Sequence, residues 1–146
     1  MTSPIAFFAF NRPYHTLKTL NSLSDNAEAT KTDLYAFIDG PRKTSEIQLI
    51  DNVEKIIRSF ESKFKSLTIF RSEINLSGAI NQKRGITKVL SENESVISIE
   101  DDIYVSKYFL TYMNSALEIY KNSKEVWHIN GFNYPANFDG QFECFL

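Results

Sequence analysis

The chain has 146 residues, of which 42% are hydrophobic, and its formal net charge is −2. This length fits one domain, and 12 Phe and 7 Tyr supply enough apolar surface for a core, which excludes a disordered chain. The slightly acidic balance excludes broad nucleic-acid binding, which needs a basic face. A single cysteine, Cys144, excludes an internal disulfide and a thiolate zinc cluster, and it predicts a reducing, cytoplasmic setting.

The first element is a continuous apolar run at residues 5–10, which is typical of a strand buried on both faces. The run is too short to cross a membrane and lacks the basic leader of a signal peptide, although peripheral membrane association remains open. Asn11 is predicted to cap the following helix, with Pro13 in its first turn. Leu17, Leu20 and Leu23 then recur at helical spacing.

Apolar periodicity alternates between strand and helix along the rest of the chain. Such alternation predicts an α/β fold, a Rossmann-like three-layer α/β/α arrangement with a mostly parallel sheet and right-handed crossovers, in one domain over residues 1–146. The further predicted helices lie at residues 45–64, 79–90 and 106–121, and the further predicted strands at residues 34–38, 67–70, 96–99 and 126–129.

The most informative motif is the run of three carboxylates, Glu100, Asp101 and Asp102, that ends the fourth predicted strand. Like charges this close repel one another and resist burial. Mg²⁺ and Mn²⁺ prefer carboxylate, water and phosphate oxygens, and the strand ends of open α/β sheets are where ligands bind. The motif therefore suggests a metal and a phosphorylated ligand. The alternative is a solvated acidic loop that caps the next helix.

Polar side chains also follow the first two strands, namely Asn11 and Arg12 after the first, and Asp39 and Arg42 after the second. In a parallel sheet these ends share one edge, so we expect them to converge with the acidic run. Arg12 presents planar donors that suit a base, Asp39 could accept from a ring N–H or a ribose hydroxyl, and Asp101 could accept from ribose. The ordinary alternatives are a helix cap for Asn11, an ion pair between Arg12 and Asp39, and a turn shaped by Asp39.

Lys83 and Arg84 lie early in the third helix, where they could meet phosphate or remain solvated surface charges. Other phosphate-binding patterns are missing from the sequence. It has no Gly-x-x-x-x-Gly-Lys-Ser/Thr loop, no Gly-x-Gly-x-x-Gly after the first strand and no Gly-x-Ser-x-Gly elbow. We therefore expect phosphates to be bound through carboxylates and a cation rather than through a glycine-rich loop.

Four segments, in chain order, resemble parts of GT-A glycosyltransferases. Residues 4–13 (Pro-Ile-Ala-Phe-Phe-Ala-Phe-Asn-Arg-Pro) resemble the first strand and turn, and residues 39–42 (Asp-Gly-Pro-Arg) the second strand exit. Residues 75–78, continuing to Asn81 and Gly85, resemble the segment before the metal motif. Residues 99–102 (Ile-Glu-Asp-Asp) look like the Asp-x-Asp-type motif, in the Glu-Asp-Asp form of the N-acetylglucosaminyltransferase I-like group. The likeness covers about residues 4–134 and extends to family 2-like members.

This resemblance implies a nucleotide-sugar donor, most often a UDP-sugar, and a role in polysaccharide biosynthesis. By position, Asp102 would ligate Mn²⁺ or Mg²⁺, which neutralises charge on the departing diphosphate. Arg12 and Asp39 would contact the base, and Asp101 the ribose. The full set of implied nucleotide-sugar contacts is Phe10, Asn11, Arg12, Asp39, Arg42, Lys83, Glu100 and Asp101.

In the inverting enzymes that the chain resembles, the catalytic base and much of the acceptor site lie downstream of the region ending near Tyr134. The chain is therefore predicted to be a C-terminally truncated donor-binding half, with no catalytic base to nominate. An isolated half would expose a sheet edge and apolar surface, which favours a homo-oligomer. Two alternatives remain: a non-catalytic binding or assembly remnant, and a Mg²⁺-dependent phosphoryl-transfer domain with Asp39 as nucleophile and a lysine in the same pocket.

Overall fold

Four parallel strands form a single sheet in the computed structural model, which describes residues 2–132. Their spatial order is β3-β2-β1-β4, and all three pairings are parallel. This confirms the predicted α/β architecture. Cys144 and the residues after 132 lie outside the described part. The strands are β1 (Ile5–Ala9), β2 (Asp33–Ile38), β3 (Ser66–Arg71) and β4 (Ile97–Glu100), and the α-helices are α1 (Pro13–Ser24), α2 (Ile47–Ser59), α3 (Gly78–Leu90) and α4 (Phe109–Tyr120).

The two faces of the sheet carry different helices. Ile5, Phe7 and Ala9 of β1 join a core cluster with residues of α1, α2 and α4. Ala6 and Phe8, which point the other way, join a smaller cluster with residues of α3. All five β1 residues are buried, as expected for a strand covered on both sides. β1 therefore runs through the middle of the sheet, and its end lies between those of β2 and β4.

A row of three phenylalanines crosses the face of the sheet that α3 covers. Phe8, Phe37 and Phe70 are register partners on β1, β2 and β3, and their rings stack at centroid distances of 5.3 and 5.0 Å. Gly85 lies directly over this row, because a Cβ built there would sit 2.5 Å from the Phe8 ring and 2.9 Å from the Phe37 ring. The glycine inside α3 thus permits close packing of the helix on the aromatic row.

Several predicted boundaries differ from the observed ones. The α1 N-cap is Arg12 rather than Asn11, and it makes no side-chain capping bond. The segment predicted as one helix at residues 45–64 contains the shorter helix α2, with a short 3₁₀ turn on each side of it, Thr44–Glu46 and Glu61–Lys63. α4 begins three residues later than predicted.

The predicted strand at residues 126–129 is wrong. These residues form irregular chain, and the Trp127 side chain is 90% exposed. A β-branched and aromatic segment becomes a strand only where a neighbouring edge accepts its backbone bonds, and residues 126–129 pair with no strand of the described sheet.

Within residues 2–132 we also find no helix with the length and apolar character needed to cross a membrane.

We expect Gly85→Ala to lower the free energy of unfolding by about 1–3 kcal/mol, because the added methyl would overlap the Phe8 ring. Gly78→Ala is the matched control, since nothing lies within 4 Å of a Cβ at that position. The control should change stability by less than about 1 kcal/mol. Urea unfolding of both variants provides the measurement, and equal stability of the two would refute this account of Gly85.

Candidate functional site

The carboxyl ends of β1, β2 and β4 meet around one cavity of about 320 Å³. The parallel register accounts for this, because Ala9 pairs with Ile38 and Phe8 with Glu100, so the three strands end at nearly the same level. The cavity is of a size that holds small ligands. The side chains that the strand ends contribute to its lining are Phe10, Arg12, Asp39, Arg42, Glu100 and Asp101.

Arg12 is held by the acidic residues that follow β4. Its Nη2 donates to Asp101 Oδ1 and its Nη1 donates to Asp102 Oδ2 at 2.8 Å. Asp101 is 2% exposed and also accepts the Phe10 N–H at 3.4 Å. Burial, which disfavours the charged form, raises the pKa of the Asp101 carboxyl above its ordinary value, although Arg12 acts in the opposite direction. Arg12 thus pairs with Asp101 and Asp102, not with Asp39.

Buried polar side chains of α1 and the residues after it fix the loop that follows the acidic run. Thr19 Oγ1 donates to the Asp101 carbonyl at 2.9 Å, and Ser22 Oγ accepts the Val105 N–H at 3.2 Å. Asn26 accepts the backbone N–H of the second α4 residue at 2.9 Å. None of these three side chains was among the predicted site residues. The only sign of them in the sequence is their place close to Leu20 and Leu23, two residues of the apolar stripe, and the structure shows that all three are buried.

Asp39 both shapes its turn and faces the cavity. Its Oδ1 accepts the N–H groups of Gly40 (2.9 Å) and Leu76 (2.7 Å), and its Oδ2 accepts Asn75 Nδ2 at 3.1 Å. Gly40 is required there, because a Cβ would lie 2.4 Å from the backbone of Ile74. A carboxylate has about four acceptor positions, so Oδ2 retains capacity for one more donor. Asp39 therefore ties the 72–76 loop to β2 and can still accept from a ligand.

The start of α3 forms another part of the cavity wall. Ser77, the residue before the helix, has φ 68°, and it lines the cavity together with Asn81 and Gln82. Asn81 is 7% exposed, and its Nδ2 donates to the Phe37 carbonyl at 3.3 Å. Lys83 is exposed and is not among the lining residues. The α3 residues that reach the cavity are thus Asn81 and Gln82 rather than the predicted Lys83.

Glu46, which was not among the predicted site residues, is the common partner of Asn11 and Arg42, and Arg42 in turn contacts Phe10. The Arg42 guanidinium lies over the Phe10 ring at 5.0 Å. The amide of Asn11 donates to Glu46 Oε1 at 3.1 Å, and Arg42 Nη2 donates to the same oxygen at 2.5 Å. Glu46 is 3% exposed. Its buried position on a short turn gave no periodic signal in the sequence.

Asp102 is the side chain that was predicted to bind a divalent cation. Asp102 is 39% exposed, and its Oδ1 has no hydrogen-bond partner among residues 2–132. No three His, Cys, Asp or Glu side chains of that part converge as a ligand set. Mg²⁺ commonly binds through one or two carboxylates and completes its shell with water and ligand phosphates. Residues 2–132 therefore form no all-protein metal cage, and a cation bound there would depend on Asp102, water and ligand oxygens.

The fold is GT-A-like. A crystal structure of S. aureus TarS, a GT-A family 2 glycosyltransferase, superposes with a TM-score of 0.61 at 18% sequence identity. The match covers 83% of this chain and 20% of TarS, so the chain spans about one fifth of that protein's length. The sequence matches no protein-family profile, and no curated protein matches it.

We expect Arg12→Gln to destabilise the fold by about 1–3 kcal/mol near neutral pH, because it leaves the buried Asp101 carboxylate without its cation. Burial already raises the pKa of Asp101, and losing Arg12 would raise it further. Protonation stabilises a folded carboxyl whose pKa is raised. The deficit should therefore be full above that raised pKa and shrink as pH falls toward the unfolded value of about 3.9.

Urea midpoints of both proteins across this pH range provide the measurement. The control compares Asp101→Asn with the double variant Asp101→Asn/Arg12→Gln. The Asp101 carboxyl is absent from both, so the difference should change less with pH, and what remains would come from the pair of Arg12 with Asp102. A deficit in Arg12→Gln that stays constant, or grows on acidification, would contradict the assignment.

Proposed function

We propose that this chain is the donor-binding part of a metal-dependent glycosyltransferase, and that its cavity holds a nucleotide-sugar of the UDP-sugar class. The observation that carries the proposal is the meeting of three strand ends around one cavity, with an acidic run at the end of β4, in a GT-A-like fold. Strand ends of parallel sheets are the usual place for such ligands. The reaction would transfer the sugar to an acceptor hydroxyl.

The residues divide the cavity into two regions by charge. At the β1 and β2 ends, Asp39 offers a carboxylate acceptor beside the Arg42 guanidinium and the Phe10 ring. These groups suit a planar base with ring N–H donors. At the β4 end, Glu100 and Asp101 face the cavity and Asp102 lies just outside its lining. This end suits a sugar hydroxyl and a cation rather than a bare phosphate.

The charge balance supports a metal requirement. Two guanidinium groups and three carboxylates line the cavity, and Asp102 adds a further carboxylate beside it. A diphosphate entering alone would meet net negative charge, which opposes binding. A divalent cation, held by Asp102 and Glu100, would supply the positive charge that stabilises the diphosphate as it departs. Arg12, already paired with Asp102, would keep this carboxylate oriented toward the cavity end of the loop.

The phosphoryl-transfer alternative has less support. It needs Asp39 as a free nucleophile and a lysine in the same cavity. Both Asp39 oxygens already accept hydrogen bonds, and the cations among the described lining residues are Arg12 and Arg42, with no lysine. We therefore favour binding of a nucleotide-sugar over formation of a phospho-aspartate.

We expect UDP to bind the chain at least about tenfold more tightly with Mn²⁺ than without it, as measured by calorimetry. Asp102→Asn should abolish this enhancement while leaving the circular dichroism spectrum unchanged, because the Asp102 side chain is 39% exposed. Asp51→Asn is the matched control. Asp51 pairs with Arg71 at 2.7 Å and is 38% exposed, yet it is not among the lining residues.

Absence of UDP binding with and without Mn²⁺ would count against the proposal. Oligomerisation of a folded chain that binds neither metal nor nucleotide would favour the assembly remnant instead. Equal loss of the Mn²⁺ effect in Asp51→Asn and Asp102→Asn would show that general surface charge, rather than Asp102, mediates it.

A further inference from the structure

Glu46 is a buried carboxylate that has no part in the nucleotide-sugar contacts proposed above. It ends the short 3₁₀ turn Thr44–Glu46 before α2 and is 3% exposed. Its two oxygens accept from four donor groups: Asn11 Nδ2 (3.1 Å) and the backbone N–H (2.8 Å), Nε (3.1 Å) and Nη2 (2.5 Å) of Arg42. A buried carboxylate needs such compensation. All its partners lie on the two chain segments that leave β1 and β2.

These bonds fix the direction of an otherwise mobile side chain. The Arg42 side chain is 62% exposed, and an arginine at such a position usually samples several rotamers. Here Glu46 holds the Nε–Nη2 edge of the guanidinium, and the Phe10 ring lies 5.0 Å from its centre. One face of the guanidinium is thus directed at Phe10. Arg42 and Phe10 both line the cavity.

The pairing also decides which ligand group this surface suits. Glu46 offsets the charge of Arg42 and occupies the edge through which arginine binds phosphate in bidentate fashion. What remains is a planar, weakly charged surface, on which aromatic bases stack well. The Arg42–Glu46 pair is therefore a poor anion site and a good base platform.

We propose that Glu46 is a positioning residue. It holds the Arg42 guanidinium against the Phe10 ring, so that the surface formed by these two groups stacks against the planar base of the ligand. The proposal rests on the nucleotide-binding function proposed above. It assigns the β1 and β2 ends to the base, and it makes Glu46 necessary for base affinity without contact between Glu46 and the ligand. Phosphate affinity at the β4 end should be independent of it.

The test compares uridine, UDP with Mn²⁺, and inorganic pyrophosphate with Mn²⁺ by calorimetry. Glu46→Gln should weaken uridine and UDP binding by the same factor, about three- to tenfold, and leave pyrophosphate binding unchanged. Glu54→Gln is the matched control. Glu54 also pairs with arginines, Arg58 and Arg71, but it is not among the lining residues, so all three affinities should stay constant.

A second variant keeps the test decisive if Glu46→Gln folds poorly. Arg42→Gln changes an exposed side chain and should weaken uridine by a similar factor. Where both single variants fold, the double variant should be no weaker than either, because both changes remove the same platform. A general structural role for Glu46 would instead weaken all three ligands together.

The outcomes separate this inference from the proposed function. Unchanged uridine affinity in Glu46→Gln and Arg42→Gln, with Mn²⁺-dependent UDP binding intact, overturns the positioning role alone. Weaker pyrophosphate binding in Glu46→Gln overturns the assignment of this surface to the base. Failure of the unaltered chain to bind uridine, UDP or pyrophosphate overturns both proposals.

Discussion

The parallel register of β1 with both neighbours is the constraint on which the rest of the structure depends. Ala9 pairs with Ile38, and Phe8 with Glu100, so segments far apart in sequence leave the sheet side by side. A shift of one residue would move every β1 side chain to the opposite face and would break the stacking of Phe8 on Phe37. The packing that fixes the register on the α3 face therefore also fixes the cavity at the edge of the sheet.

Two buried carboxylates stabilise this edge in the same way. Asp101, after β4, holds Arg12, which follows β1; Glu46, before α2, holds Arg42, which follows β2. Each carboxylate is nearly inaccessible, whereas each arginine is substantially exposed. This arrangement limits the cost of burial, because the cation keeps part of its hydration while the acid receives several donors. The two pairs orient the side chains of Arg12 and Arg42, which both line the cavity.

The sequence predicted the fold and the convergence of the strand ends, because both follow from apolar periodicity and from the geometry of parallel sheets. Residues 126–129 show the limit of periodicity, since composition alone cannot tell whether a neighbouring edge is present. Thr19 shows another limit, because it acts through a contact with Asp101, a residue distant in sequence, and a local pattern carries no such information. Glu46 differs, because its main partner Arg42 is four residues away, and the sequence alone did not show that this acid is buried. Lys83 was selected by charge, but the turn of α3 directs its neighbours Asn81 and Gln82 to the cavity.

The two arginines of the cavity differ in how their charge is engaged. Arg42 is paired with a single carboxylate along one edge, so its charge is offset and its planar surface remains. Arg12 is shared between Asp101 and Asp102, so both of its Nη groups are engaged by the acidic run. The Phe10 N–H also donates to Asp101, which ties the same run to the end of β1. Three hydrogen bonds thus join four residues, Asp102, Arg12, Asp101 and Phe10, that lie about 90 positions apart in two groups along the chain.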